Sequence, residues 1–393
     1  MRAIVLSGGG AKGAYEAGVW KALKKLHIKY DIVTGTSIGA LNGMMMVQKD
    51  YYKCMRLWKN ISFDQLYDNF VPSEESQQMY LNYLNKIIDG GIDTQKIQKI
   101  IEDNYYPRKM YSSKISFGVV AYNLSNRSAF YATKKNTRPD KLKKYILASA
   151  TCFPVFKPLK IGTDTFVDGG YYDNLPINLA IDLGADEIIA VDLGAVGFHK
   201  KVKDKNVKIT YILPNNKLDS FLLFESNAAR RMIRFGYNDA MKVFGKYEGN
   251  LYTFKKGALS NNYYQYQNKL KDLICSKKEY QIGNLKKFIT VKEPQKIMND
   301  IVEDALEVFK IRADMIYSMR EFNQKLWNEL EKAEELKLDN FSVEEIKKIF
   351  NRAAVVKYIY EKLNSNEKIN YTIFGFFTKE FTTAVYLLAA RRN

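Results

Sequence analysis

Residues 32–48 read Ile-Val-Thr-Gly-Thr-Ser-Ile-Gly-Ala-Leu-Asn-Gly-Met-Met-Met-Val-Gln, with Ser37 framed by Gly35 and Gly39. A short β-branched run predicts a strand over residues 30–34, and the apolar stretch 38–48 predicts a helix whose three methionines belong to a core. A serine with glycine two places before and two after, between a strand and a helix, is the pattern of a strained turn that lifts a hydroxyl above the end of a sheet. Ser37 as an ordinary helix N-cap is the plainer alternative.

Upstream, residues 3–6 form a short apolar run and residues 14–26 carry a helical apolar stripe. Between them stands Ser7-Gly8-Gly9-Gly10-Ala11-Lys12-Gly13. Glycines between strand and helix let backbone amides approach a ligand, and the helix N-terminus adds partial positive charge. Gly8, Gly10 and Gly13 also satisfy a dinucleotide-binding fingerprint, and Asp31 is near its acidic position, but it precedes the second strand instead of following it. Strand signals return at 115–124, 129–133, 165–167, 187–193 and 207–213, with a helix at 140–149 and helical, more polar sequence over 51–113. This alternation predicts an α/β fold with a mainly parallel central sheet. It stops near residue 214; the rest reads as long helices broken at Pro294.

A nucleophilic serine needs a base. The chain has only two histidines, His27 beside lysines at the end of the first helix and His199 beside Lys200 and Lys201. Asp168 ends the predicted strand 165–167 and opens Asp168-Gly169-Gly170, which by itself would be an Asp-Gly turn. A Ser37–Asp168 dyad is the simpler arrangement, since partial burial can raise an aspartate into the range of a useful base. A triad through His199 keeps a known chain order and is the alternative.

Taken as an ordered set, these motifs resemble the patatin-like phospholipases. The likeness runs through Gly8–Gly13, Gly35–Gly39, Ala148-Ser149-Ala150 with the Pro154 loop, Asp168–Gly170, Asn174-Leu175-Pro176 and Gly236-Tyr237-Asn238-Asp239-Ala240, covering about residues 1–255. The resemblance implies a three-layer α/β/α catalytic domain over 1–255 and a mainly helical extension over 256–393 acting as cap, interface or regulator. It implies Ser37 as nucleophile, Asp168 as base, the amides of Gly8, Gly9 and Gly10 as oxyanion hole, and Lys12 as the family's basic residue, able to meet a substrate headgroup. Gly13, Gly35, Gly39, Gly169 and Gly170 are motif positions. Ser7 departs from the aspartate of many members. The implied activity is hydrolysis of fatty acyl esters of the phospholipase A or lysophospholipase type, without a cofactor. A protein that keeps the fold for membrane-surface contact without catalysis is the competing expectation.

Composition is compatible with this. The 393 residues are 46% hydrophobic and 26% charged, enough for a full core, which excludes a disordered or collagen-like chain. Net charge is +18, and residues 200–300 alone hold 21 Lys or Arg against 9 Asp or Glu. Such an excess suits an anionic membrane surface; no recognition motif for nucleic acid accompanies it. Within that stretch Ala229, Met232, Ile233, Gly236, Ala240, Val243 and Phe244 keep helical spacing beside Arg230, Arg231, Arg234 and Lys242. The helix reads either as one docked on the core with a solvated basic face or as a lipid-headgroup surface. Cys54, Cys152 and Cys275 have no ligand or framework spacing and read as reduced thiols. No His/Cys/carboxylate cluster has metal-ligand spacing. No leader is visible, and the apolar stretch 372–390 is interrupted by Lys379 and Glu380, so a cytoplasmic protein able to sit peripherally at a membrane is expected. Phe374, Phe376, Phe377 and Phe381 read as the core face of a terminal helix, with insertion at an interface as the alternative.

Overall fold

The computed structural model describes residues 1–65, 91–290, 293–336, 351–369 and 375–391. Part of the helical stretch expected over 51–113, and Phe374, lie outside those residues. The chain forms two compact units, Met1–Ala240 and Met241–Asn393.

The first unit is built on β1 (Arg2–Leu6), β2 (Ile32–Thr36), β3 (Ser116–Asn123), β4 (Ser128–Thr133), β5 (Leu159–Ile161), β6 (Asp164–Asp168), β7 (Glu187–Val191) and β8 (Lys208–Ile212). They run in the order β5-β6-β3-β2-β1-β7-β8, with β4 also paired to β3. Parallel pairing joins β2 to β3, β1 to β2, β1 to β7 and β7 to β8. The pairs β3–β4, β3–β6 and β5–β6 are antiparallel.

Side chains alternate across each strand, and here both faces are covered. Ala3, Val5 and Ile32 join Leu175, Ile177 and Ala180 in one core, where the short α-helix Ile177–Asp182 lies. On the opposite face Leu6, Val33 and Phe117 surround Gly43 of α2, which spans Ile38–Val47. A Pro139–Ser149 helix lies over β3 and β6, with Ala121, Ala148 and Phe166 in contact. Residues 3–6 are at most 1% exposed, which explains why β1 reads as an unbroken apolar run.

Two helices meet closely beside this sheet. Helix α1 (Gly13–Lys25) approaches the Ser226–Val243 helix at Gly18 and Gly236. A Cβ on Gly18 would lie 2.1 Å from the Ile233 carbonyl oxygen, and one on Gly236 would lie 2.0 Å from that of Tyr15. The Tyr15 hydroxyl donates to Asp239 at 3.0 Å across this contact. Thus the predicted stripe Ala229, Met232, Ile233, Gly236 and Ala240 is buried. The stripe does not extend to Val243, which is 44% exposed. Arg231 is engaged by both carboxylate oxygens of Asp219, at 2.7 and 2.8 Å.

The second unit is mainly helical, including Ala258–Ser276, Pro294–Val308, Met319–Lys332, Arg352–Asn364 and Thr378–Ala390. It also contains a three-stranded sheet, Tyr247–Glu248, Thr253–Lys255 and Ile316–Tyr317. That sheet adds short strands to a region read as mainly helical; strands of two or three residues are too short to establish a period of two. Phe254, Phe322, Phe381 and Tyr386 are fully buried in this unit's core, while Phe376 is 46% exposed. Among the described residues no helix is long and apolar enough to cross a membrane.

Candidate active site

The second strand ends two residues later than the sequence suggests, at Thr36, so Ser37 follows the last rung directly. Its backbone lies at φ 55°, ψ −125°, a left-handed conformation that is strained for a residue with a side chain. A Cβ on Gly35 would sit 2.4 Å from the Gly39 carbonyl oxygen, and one on Gly39 would sit 2.5 Å from that of Leu6. The two framing glycines therefore allow turn and strand to touch. Ser37 N–H donates to Ser149 Oγ at 2.8 Å, a support that the sequence reading passed over. Although Ser37 occupies the N-cap position of α2, its side chain makes no capping bond.

How Asp168 reaches Ser37 follows from strand pairing. One edge of β3 is taken by β4, which pairs along residues 118–123. On the other edge β2 pairs up to Thr36↔Val120, and antiparallel β6 pairs down to Asp168↔Ala121. The C-termini of β2 and β6 thus meet head-on beside consecutive residues of β3. Asp168 is 4% exposed, and its Oδ1 accepts a 2.7 Å bond from Gly170 N–H. Burial pushes its carboxyl up to about 6, against the opposing influence of hydrogen bonds from the Ser37 side chain and Gly170 N–H.

The glycine loop stands at the end of neighbouring β1. Its three amides are not equivalent. Gly8 N–H, one of the three amides expected to form an oxyanion hole, donates to the Asn174 carbonyl at 3.1 Å. Gly8 is also a close contact: a Cβ there would lie 2.3 Å from Asn174 Oδ1 and 3.1 Å from Ser37 Cβ. Gly9 and Gly10 N–H have no hydrogen-bond partner among the described residues. Gly10 has φ +55°, and a Cβ on it would meet the Phe221 carbonyl oxygen at 2.3 Å. Gly13 fits beneath Ile38 and Trp58, and Gly169 against the Val120 carbonyl.

A buried polar set fixes α1 below the loop. Asn42 donates to the Gly13 carbonyl at 2.9 Å and to Glu16 Oε2 at 2.8 Å, while Trp58 Nε1 donates to Asn42 Oδ1 at 2.9 Å. Burial holds the Glu16 carboxyl well above the usual carboxylate range. Glu16 was not singled out from sequence; a lone acid in an apolar helix stripe was its only signal.

Ser37, Asp168, Gly8, Gly9, Gly10, Gly170 and Lys12 all border one cavity of about 570 Å³. Its other walls are mainly apolar and include Leu41, Ile97, Ile100, Val155, Phe156 and Phe224. His199 is not among the lining residues; its half-exposed ring has Nδ1 3.9 Å from Asp192. Asp31, the acid of the dinucleotide alternative, accepts from Arg2 N–H at 3.0 Å at the start of β1, the strand end opposite the glycine loop. Cys54, Cys152 and Cys275 are free; Cys152 lines the cavity, and its thiol is pushed up to about 12 by burial and by nearby Asp168.

Three relatives each match about half of the chain. It is similar to patatin-like phospholipase domain-containing protein 7 of Rattus norvegicus, 27% identical over 197 residues, which is 49% of this chain and 14% of that protein. It is similar to lysophospholipase nte1 of Aspergillus terreus, 27% identical over 208 residues, 49% of this chain and 12% of the relative. The human patatin-like phospholipase domain-containing protein 6 is 28% identical over 196 residues, 49% of this chain and 13% of the relative. The match thus spans a small part of each relative. Among solved structures, VipD from Legionella pneumophila gives a TM-score of 0.42 at 14% identity, covering 99% of this chain and 91% of that one. The type III effector protein ExoU gives 0.32 at 12% identity, covering 98% and 76%. The family model for patatin-like phospholipase matches residues 4–181, a range that holds the glycine loop, Ser37 and Asp168. Residues 4–181 are a patatin-like phospholipase domain.

Proposed function

We propose that this protein is a lipid acyl hydrolase in which Ser37 is the nucleophile and Asp168 the base. The observation that carries the reading is the head-on meeting of β2 and β6, which brings Ser37 and a buried carboxylate together at the wall of an apolar cavity. A fatty acyl ester would lay its chain along that wall. Ser37 Oγ attacks the ester carbonyl carbon while Asp168 takes its proton, and the carbonyl oxygen becomes an oxyanion facing the unengaged amides of Gly9 and Gly10. The tetrahedral intermediate collapses; the ester C–O bond breaks, and the leaving alcohol takes the proton from Asp168. Water then attacks the acyl-serine, again losing its proton to Asp168, and the second collapse returns that proton to Ser37 and frees the fatty acid.

An aspartate near 6 suits this role, being ionised at neutral pH yet more basic than an ordinary carboxylate. Lys12 is the cavity's cation and the candidate contact for an anionic headgroup. Peripheral contact with an anionic membrane belongs to the same proposal. The test is fatty-acid release from a panel of phospholipids, lysolipids and short esters, with covalent capture of Ser37 by a fluorophosphonate. Both signals should vanish in Ser37→Ala, and turnover should fall by several orders of magnitude. A protein that hydrolyses none of the panel and takes no label would be a surface-contact protein on this fold.

A further inference from the structure

Five large apolar side chains left exposed among the described residues are gathered at one opening. Phe153, Tyr171, Phe198 and Phe221 are 43%, 40%, 66% and 41% exposed, Val196 is fully exposed, and all five line the Ser37 cavity. They come from separate segments, around residues 153, 171, 196–198 and 221, and Tyr171 OH braces the collar by donating to the Phe153 carbonyl. Single exposed apolar side chains are ordinary, whereas a contiguous group around a cavity marks a surface that leaves water on binding. None of these residues keeps an apolar period of a strand or helix, so they serve no core that the sequence would predict.

Charge at the collar has one sign. Asp168 is the sole carboxylate among the lining residues, and it is buried. Lys12 borders the cavity and Lys157 adjoins the lining residue Phe156; neither has an ion-pair partner among the described residues. Beyond Phe198 the chain leads away from the opening, to Lys208 opposite Glu187 at the other end of the sheet. Two lysines of that segment are engaged: Lys200 lies over the Tyr172 ring at 3.4 Å from its centroid, and Lys203 pairs with Asp182. Apolar side chains beside unpaired lysines complement the two outer zones of an anionic bilayer, the acyl boundary and the phosphates above it.

We propose that the mouth of the Ser37 cavity is a docking collar for an anionic lipid bilayer. Phe153, Val196, Phe198 and Phe221 enter the acyl boundary, and Lys12 and Lys157 meet headgroup phosphates. The collar, not the Ser226–Val243 helix, carries the contact: the apolar face of that helix lies on α1, and Arg231 is held by Asp219. A lipid could then pass from bilayer to cavity without crossing water. This rests on the lipid-hydrolase reading for its purpose, but its test does not.

The experiment uses the full chain as Ser37→Ala, so that vesicles stay intact, and measures flotation with vesicles of phosphatidylcholine and phosphatidylserine in equal parts. Adding Val196→Asp and Phe198→Asp should weaken binding at least tenfold. Lys12→Glu with Lys157→Glu should weaken it on these vesicles more than on phosphatidylcholine alone. Tyr52→Asp, at a site 80% exposed but remote from the cavity lining, should leave it unchanged. A tryptophan placed by Phe198→Trp should be quenched by lipids brominated near the headgroup. The proposal is overturned if vesicles are not bound, if the collar variants bind as well as the parent, if Tyr52→Asp loses as much, or if the new tryptophan is not quenched. Fluorophosphonate labelling of wild-type Ser37 is read separately. Labelling without vesicle binding removes the collar alone, and binding without labelling removes the hydrolase alone.

Discussion

Replacing Asp168 with Asn should stabilise the protein while disabling it. The carboxyl rises from 3.8 to about 6 in the folded chain, because burial penalises its charge more than its hydrogen bonds favour it. A carboxyl whose pKa is raised on folding binds its proton more tightly in the native state. Below about 3.8 it is neutral in both states and carries no penalty; as pH rises from 3.8 through 6 stability is lost, and above 6 the full penalty applies. A shift of about two units corresponds to about 3 kcal/mol. Asn carries no charge, and its Oδ1 can still accept the Gly170 N–H. At pH 8 the variant should therefore gain up to about 3 kcal/mol, and near pH 4 most of that gain should disappear. Urea unfolding in a Trp327→Phe background reads it, since Trp20 and Trp58, both buried in the first unit, are then the only tryptophans. Turnover should meanwhile fall by about 10²–10⁴, the usual worth of a general base. Wild-type kcat/KM should decline as pH falls through about 6. A variant no more stable at pH 8, or equally stabilised at both pH values, would refute the assignment of a charged, desolvated Asp168.

Three further outcomes are expected. Gly10→Ala should abolish turnover, because its positive φ and the rigid Phe221 carbonyl leave a Cβ no room; Gly9→Ala should be milder, since its Cβ would meet the movable Leu193 side chain at 2.7 Å. Ester turnover of the two variants checks this, and the reverse ranking would displace Gly10 from the site. His199→Ala should keep near wild-type turnover on a soluble ester, as the ring lies outside the cavity lining; a loss of a hundredfold would restore the triad. Arg352→Ala should destabilise the second unit by about 1–3 kcal/mol, below the loss of a fully buried pair because Arg352 is 40% exposed, since Glu380 is fully buried and its Oε2 lacks a partner among the described residues. Emission of Trp327, edge-on to Tyr360, reports that unfolding, and an unchanged midpoint would contradict it.

Legibility in the sequence divides by distance along the chain. The turn at Ser37 could be read because its requirements are local: glycines at 35 and 39 face one another across four residues. Gly8, Gly9 and Gly10 look alike in sequence, and what distinguishes them is an Asn174 carbonyl 166 residues away that takes one amide and leaves two. The position of Asp168 at a strand end was visible, but the direction of β6 was not, since a five-residue strand reads the same whether it pairs parallel or antiparallel. The collar was invisible for another reason: Phe153, Val196, Phe198 and Phe221 lie in loops, where hydrophobic periodicity has nothing to say. Basic residues of the Ser226–Val243 helix were conspicuous by count, yet only the fold pairs Arg231 with Asp219.

The shared edge of β3 also bears on how this protein would wear out. Ser37 and Asp168 hang from backbone that pairs with one strand, next to Val120 and Ala121, so one peptide step governs their spacing. Neither surface-loop motion nor arrival of substrate is needed to bring them together. Heat or denaturant can separate them only by unzipping the middle of the sheet, among the last amides of a domain to exchange with solvent. Reactivity toward a small probe should then survive every partial opening and vanish together with the sheet itself, making the serine a clock for global unfolding.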